Sequence, residues 1–207
     1  MKKIIKIFAV ILVVSILSYA FIFGFSNNNN SSKKSASIPV ETVVDSFFTE
    51  LKKGDIKSAL KYVESASNCY SIDAKIKNKT YEDLLKMVLS KIQYKIDDIN
   101  LKDSFATVKL QIESVDLLSF YNKYFEELSP LIKGYLSGNE KEKVQAKNQI
   151  KTLLVSRVDN DIQKGNYEKF KGTVKINLVM RNGEWIIEAD DNLIYYLSGK
   201  MTALMAK

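Results

Sequence analysis

Two pairs of adjacent carboxylates are the residues of this chain whose types and positions could carry acid–base chemistry. Asp97-Asp98 and Asp190-Asp191 each lie at a predicted strand. Such a pair can transfer protons when burial raises the pKa of one partner. In water the same residues serve as turn and helix-cap residues, which is the interpretation we favour. Asp97 and Asp190 are therefore candidates for ligand binding rather than for catalysis.

The composition excludes most other site chemistries. The chain contains no histidine and one cysteine, Cys69. It therefore lacks the commonest general base near neutral pH, and Ser-His-Asp and Cys-His nucleophile systems cannot be built. Zinc sites made of nitrogen and sulfur ligands are excluded for the same reason. No phosphate-cradling glycine-rich loop or EF-hand spacing occurs, so we expect no catalytic residue, no metal and no cofactor.

Aromatic side chains supply the remaining candidate site residues. Phe47, Tyr62, Tyr94 and Trp185 could line a ligand cavity with apolar walls and a few polar tips. The same four residues could instead pack as ordinary core and sheet residues, which is the interpretation we favour. A ligand cavity is the alternative.

An uncharged apolar run covers residues 7–25 and follows three lysines among the first six residues. A helix of this length approaches the ~30 Å hydrocarbon core of a bilayer, and basic flanks stay in the cytoplasm. Residues 1–25 are thus predicted to be a single-pass anchor in the cell membrane, with the C-terminal part outside. The alternative is a signal peptide cleaved near Ser26 and a secreted protein. No cysteine directly follows the run, so a lipid anchor is not expected.

The positive charge is concentrated beside this apolar run. The chain carries 31 basic and 24 acidic side chains, and five of the lysines lie in residues 1–37, which contain no acid. The remainder is close to neutral, and its lysines alternate with acids. This pattern is typical of a solvated surface, with phosphate binding as the alternative. It does not indicate a nucleic-acid partner.

The rest of the chain is predicted to be a flexible linker, residues 26–38, and a single α+β ectodomain, residues 39–207. Apolar stripes predict helices over 41–53, after Asp55, and over 80–92. Alternation predicts strands over 94–101 and 105–114, and the apolar phase of the first strand changes at Asp97-Asp98. An extra residue there would make a β-bulge.

A helical pair is predicted to be inserted into the sheet at about residues 116–163. Its helices cover 116–136 and 140–163, and Pro130 predicts a kink or break in the first. The apolar residues expected to be buried on the second are Val144, Ile150, Leu153, Leu154, Val158 and Ile162. A hairpin with a type I′ turn at Asn182-Gly183 follows, and a helix over 193–204 ends the chain.

Two local features resemble extracytoplasmic bacterial domains of unknown function with the nuclear-transport-factor-two-like, or cystatin-like, cone fold. One is the opening helix Val44-Asp45-Ser46-Phe47-Phe48, which continues through Leu51-Lys52-Lys53-Gly54-Asp55. The other is the closing strand, turn, Gly-x-Trp and strand unit at 178–187. The resemblance covers residues 40–65 and 170–190. It implies a curved antiparallel sheet wrapped around a long helix, and the inserted helical pair departs from the compact family pattern.

The features together favour a membrane-tethered extracytoplasmic module that binds a protein, cell-wall or small apolar ligand, or forms a homodimer, without catalysis. One alternative is an ectodomain subunit of a membrane or secretion assembly. Another is a small cone-type isomerase- or dehydratase-like enzyme that acts without histidine. Fold alone does not choose among them.

Overall fold

A computed structural model describes residues 38–64, 86–188 and 190–200. The predicted anchor or signal segment, almost all of the linker, Cys69, the start of the predicted helix at 80 and residues 201–204 lie outside the described residues. Within the described ranges, no helix has the length and apolar character needed to cross a bilayer.

The described part is an α+β structure, as the sequence predicts. Four antiparallel strands follow one another in the sheet in chain order. Helices precede the sheet, interrupt it between the second and third strands, and follow it. The helices are α1 (Val40–Lys53), α2 (Ile56–Ala59), α3 (86–89), α4 (Leu117–Lys123), α5 (Phe125–Ser137), α6 (Glu140–Gln163) and α7 (Asp191–Leu197), with a 3₁₀ helix at Leu60–Tyr62. The strands are β1 (Gln93–Lys102), β2 (Phe105–Val115), β3 (Lys169–Arg181) and β4 (Glu184–Glu188).

Local signals set the ends of the first helices. Gly54 ends α1 with φ of +74°, a left-handed conformation that glycine adopts without steric cost. Asp55 then caps α2 by accepting a hydrogen bond of 3.0 Å from the backbone N–H of Ser58. The helix predicted over 80–92 ends earlier than expected, at residue 89, because residues 90 and 91 form a turn that leads into β1.

The sheet confirms two predictions about turns and bulges. The pairing of β1 with β2 shifts between Ile96 and Asp98, so Asp97 is the extra residue of a bulge. Asn182 and Gly183 have φ of 53° and 87°, as a type I′ turn requires.

Buried and exposed side chains alternate along the strands, which gives the sheet a core face and an outer face. The core face of β2 and β3 carries Val108, Leu110, Ile176 and Leu178, all inaccessible to solvent. Helix α1 packs against this face through its apolar stripe, and α7 joins the same cluster. The buried residues of the α1 stripe are Val40, Val43, Val44, Phe47, Phe48 and Leu51.

The helical insertion contains three helices, where the sequence predicted two. The break lies at Tyr124 (φ −103°, ψ 14°), and Pro130 lies inside α5, so the prediction of a break at Pro130 was wrong. The Tyr124 hydroxyl bonds Asp161 of α6, and this contact favours a turn there. Pro130 is exposed and lies inside α5, where it lacks the N–H for one helical hydrogen bond.

Helix α6 has the predicted bounds, and four of the six residues predicted to be buried are buried: Ile150, Leu154, Val158 and Ile162. Asn139 and Glu142 form a capping box at its start. Val144, expected to be buried, is 59% exposed because it lies on the side of α6 that turns away from the second hydrophobic cluster of α4, α5 and α6. Asp161, which has no apolar character, is buried instead.

The C-terminal helix is shorter than the predicted 193–204. It covers Asp191–Leu197 and ends in a turn at 198–200. At this turn, Gly199 lies against the backbone of Val115 with φ of +58°, and Lys200 forms an ion pair with the buried Asp116. The turn thus fastens the end of the described chain to the start of α4.

Two leucines on adjacent strands test the packing of the core face. Leu110 is fully buried and Leu101 is 58% exposed. We expect Leu110→Ala to lower the free energy of unfolding by about 2–5 kcal/mol, because it leaves a cavity. The matched control, Leu101→Ala, should change it by less than about 0.5 kcal/mol. The fluorescence of the single tryptophan, Trp185, during urea unfolding of the detergent-solubilised chain measures both. Both side chains are on core-face positions, since Leu101 pairs with Ala106, so equal effects would contradict the difference in burial between the centre of the sheet and the end of β1.

Candidate functional site

The four aromatic candidates lie in or against one hydrophobic core. Phe47 and Trp185 are buried members of the cluster on the core face, and Tyr62 and Tyr94 pack against it. The Tyr94 ring stacks on Phe48 with 4.3 Å between centroids, and its hydroxyl donates to Asp45 at 2.9 Å. Burial, followed by the hydrogen bond to Asp45, raises the pKa of Tyr94 to about 12. These contacts attach β1 to α1.

The two carboxylate candidates lie in different environments. Asp190 is the N-cap of α7 and accepts a hydrogen bond of 2.8 Å from the backbone N–H of Leu193. Asp97 lies at the bulge on the outer face, where both of its oxygens accept from the Gln111 amide at 3.2 and 3.0 Å. Of these two carboxylates, only Asp97 therefore lies on a solvent-accessible surface that also includes side chains of the neighbouring strands.

The outer face of the sheet brings most exposed polar strand residues together. Strand register places Lys95 opposite Gln111, Gln111 opposite Thr173, and Thr107 opposite Asn177. The outward side chains of β2 and β3 in this central region are Thr107, Lys109, Gln111, Glu113, Lys171, Thr173, Lys175 and Asn177. An antiparallel sheet that packs one face on a core leaves the other face to solvent in this way.

Hydrogen bonds fix several of these side chains. Glu113 accepts from Lys169 at 2.8 Å and from Lys171 at 2.7 Å, so one carboxylate bridges two ammonium groups. These two hydrogen bonds lower the pKa of Glu113, and the same contact raises the pKa of Lys169. Thr107 donates to the side-chain oxygen of Asn177 at 3.2 Å. The face is thus an ordered array of donors and acceptors.

A shallow depression of about 320 Å³ crosses three strands of this face. Its lining comes from residues 93–95 of β1, 111–113 of β2 and 171–173 of β3. The outward members are Gln93, Lys95, Gln111, Glu113, Lys171 and Thr173. Amides, a hydroxyl, two ammonium groups and a carboxylate therefore surround a space that is open to solvent.

Two lysines stand directly opposite each other beside this depression. Lys109 of β2 pairs in register with Lys175 of β3, and Asp98 lies across from Lys109 on β1. Among the described residues, neither ammonium group takes part in a hydrogen bond or an ion pair. Like charges directly opposite on a sheet repel each other. In the sheet, Asp98 offsets this repulsion from the β1 side of Lys109, whereas Lys175 pairs in register with Lys109 alone.

A second group of charges converges inside the helical insertion. Asp161 is 3% exposed and accepts hydrogen bonds from Tyr124 and, at 2.7 Å, from Lys123. Burial alone would raise the pKa of Asp161, but the hydrogen bonds from Lys123 and Tyr124 outweigh it and lower the pKa. Arg157 lies over the Tyr124 ring at 5.8 Å and pairs with Glu127 at 2.9 Å. This cluster ties α6 to α4 and α5.

An open groove of about 790 Å³ lies on the outer side of α5 and α6. Leu131, Val144 and Leu153 supply its apolar part. Its other lining residues are polar: Lys141, Gln145, Asn148, Gln149, Thr152 and Ser156. The groove is the place where the helical pair presents apolar surface to solvent.

The lysine pair and Asp161 are absent from the residues that the sequence singled out. The alternation of apolar and polar residues does place Lys109 and Lys175 on outward positions. Their opposition depends on the pairing of β2 with β3, which the whole helical insertion separates in sequence. The sequence did contain a signal for the burial of Asp161: this carboxylate lies three residues after Val158, at the helical spacing of the apolar stripe of α6.

Comparisons with known proteins give little similarity. No protein-family model matches the chain, and no curated protein matches it. One similar solved structure is that of YcdA from Bacillus subtilis, provisionally described as a lipoprotein. The two share 17% identity with a TM-score of 0.36, over 90% of this chain and 53% of YcdA, so the chain spans about half the length of that protein. A similarity this low establishes neither a shared fold nor a shared function.

The Asp161 cluster predicts a pH-dependent stability. Asp161→Asn should lower the free energy of unfolding by about 1–3 kcal/mol near pH 7, because Lys123 and Tyr124 lose a charged acceptor. The folded-state pKa lies below the ordinary value of 3.8. The stabilisation is therefore complete above that value and is lost as the pH falls through the folded-state pKa.

Unfolding of both proteins in urea between pH 3 and pH 7 measures this effect. The difference between wild type and variant should shrink toward pH 3. Asp159→Asn, on the same helix, where the half-buried carboxylate accepts from the uncharged Gln163 amide at 2.7 Å, is the matched control and should show no such trend. A difference that is constant with pH would contradict a role for the Asp161 charge.

Proposed function

We propose that this chain is a membrane-tethered, extracytoplasmic binding module that acts without catalysis and holds its ligand on the outer sheet face. The observation that carries this proposal is the depression of about 320 Å³ across β1, β2 and β3. Its polar side chains are already oriented by hydrogen bonds, notably Gln111 by Asp97 and Lys171 by Glu113. Groups oriented before binding lose less entropy when a ligand arrives.

The location rests on the sequence. The apolar run at 7–25 follows a basic N-terminus, which favours a single-pass anchor with the described part outside. Release after cleavage near Ser26 is the alternative form of the same proposal. In either form, the described residues face the cell exterior.

The absence of catalysis is supported by how the candidate carboxylates are used. Asp190 is engaged as a helix cap, and Asp97 fixes the amide of Gln111. Both contacts are structural. The chain also has no histidine that could assist either carboxylate as a proton carrier.

We also propose that the fold is of the nuclear-transport-factor-two-like cone type. The long α1 packs across the core face of an antiparallel sheet, and Trp185 of the closing hairpin belongs to the same core. These are the two features on which the sequence resemblance rests. The aromatic candidates then form the packed interior of the cone, and the ligand surface lies outside it.

Binding to the cell envelope tests the proposed function. The full chain, solubilised in mild detergent, should co-sediment with envelopes of the bacterium that encodes it. Gln111→Ala combined with Thr173→Ala should weaken binding about tenfold, equivalent to ~1.4 kcal/mol, because two oriented polar groups of the depression are lost. Gln145→Ala combined with Thr152→Ala, on exposed positions of α6, is the matched control.

Equal binding by the two double variants would contradict the assignment of the outer face. The location is checked in parallel with Asn148→Cys in a Cys69→Ser background. A membrane-impermeant thiol reagent should label this exposed position in intact cells. Labelling only after lysis would overturn the extracytoplasmic location.

A second candidate function is that of an ectodomain subunit in a membrane or secretion assembly. The exposed Val144 in the groove of α5 and α6 favours it, because apolar surface of this kind is typical of a subunit contact.

Val144→Asp should then dissociate the assembly, because a carboxylate cannot be desolvated in an apolar contact without a partner. Native electrophoresis of detergent-solubilised membranes measures the size of the complex. Asn166→Asp, which adds the same charge at an exposed loop position, is the control. A complex of unchanged size with Val144→Asp would exclude this contact.

A further inference from the structure

We infer that the ligand of the outer sheet face is a linear phosphate-bearing polymer of the cell envelope, a phosphodiester-linked polyol, which lies along β3 with one phosphate group between Lys109 and Lys175. The inference rests on the proposed function and names its ligand. It is carried by the arrangement of lysines on β2 and β3.

The lysines of β3 form a row. Lys169, Lys171 and Lys175 occupy alternate positions of the strand and so share the outer face. Same-face neighbours in a strand are about 6.8 Å apart, and the row from Lys169 to Lys175 is roughly 20 Å long. A row of this length exceeds a single small anion and matches an extended chain with repeated charges.

The two ends of the row differ in how their charge is balanced. Glu113 bridges Lys169 and Lys171 at 2.8 and 2.7 Å, so that end is satisfied within the protein. At the other end, Lys109 and Lys175 face each other across the strands and lack a hydrogen-bonded or ion-paired partner among the described residues. A phosphate between the two ammonium groups would replace their repulsion with two attractive contacts.

Acids limit the width of the basic surface. On one side, β1 presents Asp98 opposite Lys109, and beside it Asp97, which forms an ion pair with Lys95 at 3.8 Å. On the other side, β4 presents Glu184 and Glu188, which lie opposite Arg181 and Asn177. A narrow basic stripe between two acidic margins fits one polyanionic strand. A flat anionic membrane would also contact the acidic margins, so its net electrostatic attraction to this face would be weaker.

The side-chain types suit this ligand. Lysine is a compact point charge on a flexible stem, which suits phosphodiester oxygens that alternate with neutral units. Thr173 lies between Lys171 and Lys175, and Asn177 lies beyond Lys175. Both side chains offer hydrogen bonds to polyol hydroxyls.

Nucleic acid fits less well. Proteins that bind single strands supply aromatic platforms for the bases. On the described part of the outer face, the exposed aromatic side chain is Phe105, which lies opposite Val179 and roughly 14 Å along β2 from Lys109. One ring at the end of the face is not a stacking platform.

The experiment measures binding of a fluorescently labelled linear polyglycerol phosphate to the full chain in nanodiscs of neutral lipid. The wild type should bind with an affinity that falls as salt rises, because each phosphate contact releases counterions. Lys109→Gln combined with Lys175→Gln should weaken binding at least tenfold and reduce the slope of log K against log salt by about two. Lys133→Gln combined with Lys141→Gln, the same change of charge on α5 and α6, should leave affinity and slope nearly unchanged.

Thermal unfolding without polymer supplies a second readout. Lys175→Gln alone should leave the unfolding temperature unchanged or raise it, since it removes the repulsion from Lys109. A lowered unfolding temperature would contradict the claim that this pair is unbalanced in the free protein.

Each outcome of the binding experiment decides between the ligands. Equal binding by the two double variants overturns the inference, and so does tighter binding of phosphatidylglycerol vesicles or of single-stranded DNA than of the polymer. Envelope binding that needs Gln111 and Thr173, without any binding of the polymer, removes this ligand and leaves the proposed function standing. If the wild type binds neither the envelope nor the polymer, both the proposed function and this inference are overturned.

Discussion

The pairing of β2 with β3 is the constraint on which the rest of the structure depends. Eleven residue pairs run without a shift from Phe105–Val179 to Val115–Lys169. The intervening residues, 116–168, are too many for a turn to set this register. A slip by one residue would exchange the two faces of a strand, placing Lys109 toward α1 and Val108 in water. The buried core face therefore fixes the position of every polar group on the outer face.

Features with local causes could be predicted from the sequence. The bulge at Asp97 follows from a change of apolar phase within one strand, and the turn at Asn182-Gly183 from the need for two residues with positive φ. The bounds of α6 follow from its capping residues and its length. In each case, the cause and its effect lie within a few residues of each other, so one sequence window contains both.

Features with distant causes could not be predicted in this way. At the helix break, Tyr124 donates a hydrogen bond to Asp161, which is 37 residues away, and the buried Asp161 also forms an ion pair with Lys123. The opposition of Lys109 and Lys175 depends on a register set across the insertion. Periodicity describes one element at a time. Neither the partner of a buried polar group nor the neighbour of a surface charge on another strand can be read from it.

The bulge at Asp97 also limits how the sheet can grow. Strand β1 is at the edge, so one side of its backbone carries N–H and C=O groups that no strand of the described sheet pairs with. A regular strand from another molecule cannot match an edge that contains an extra residue, and Lys95 and Asp98 beside it add charge. The bulge and these charges therefore oppose growth of the sheet by addition of a second molecule's strand to β1.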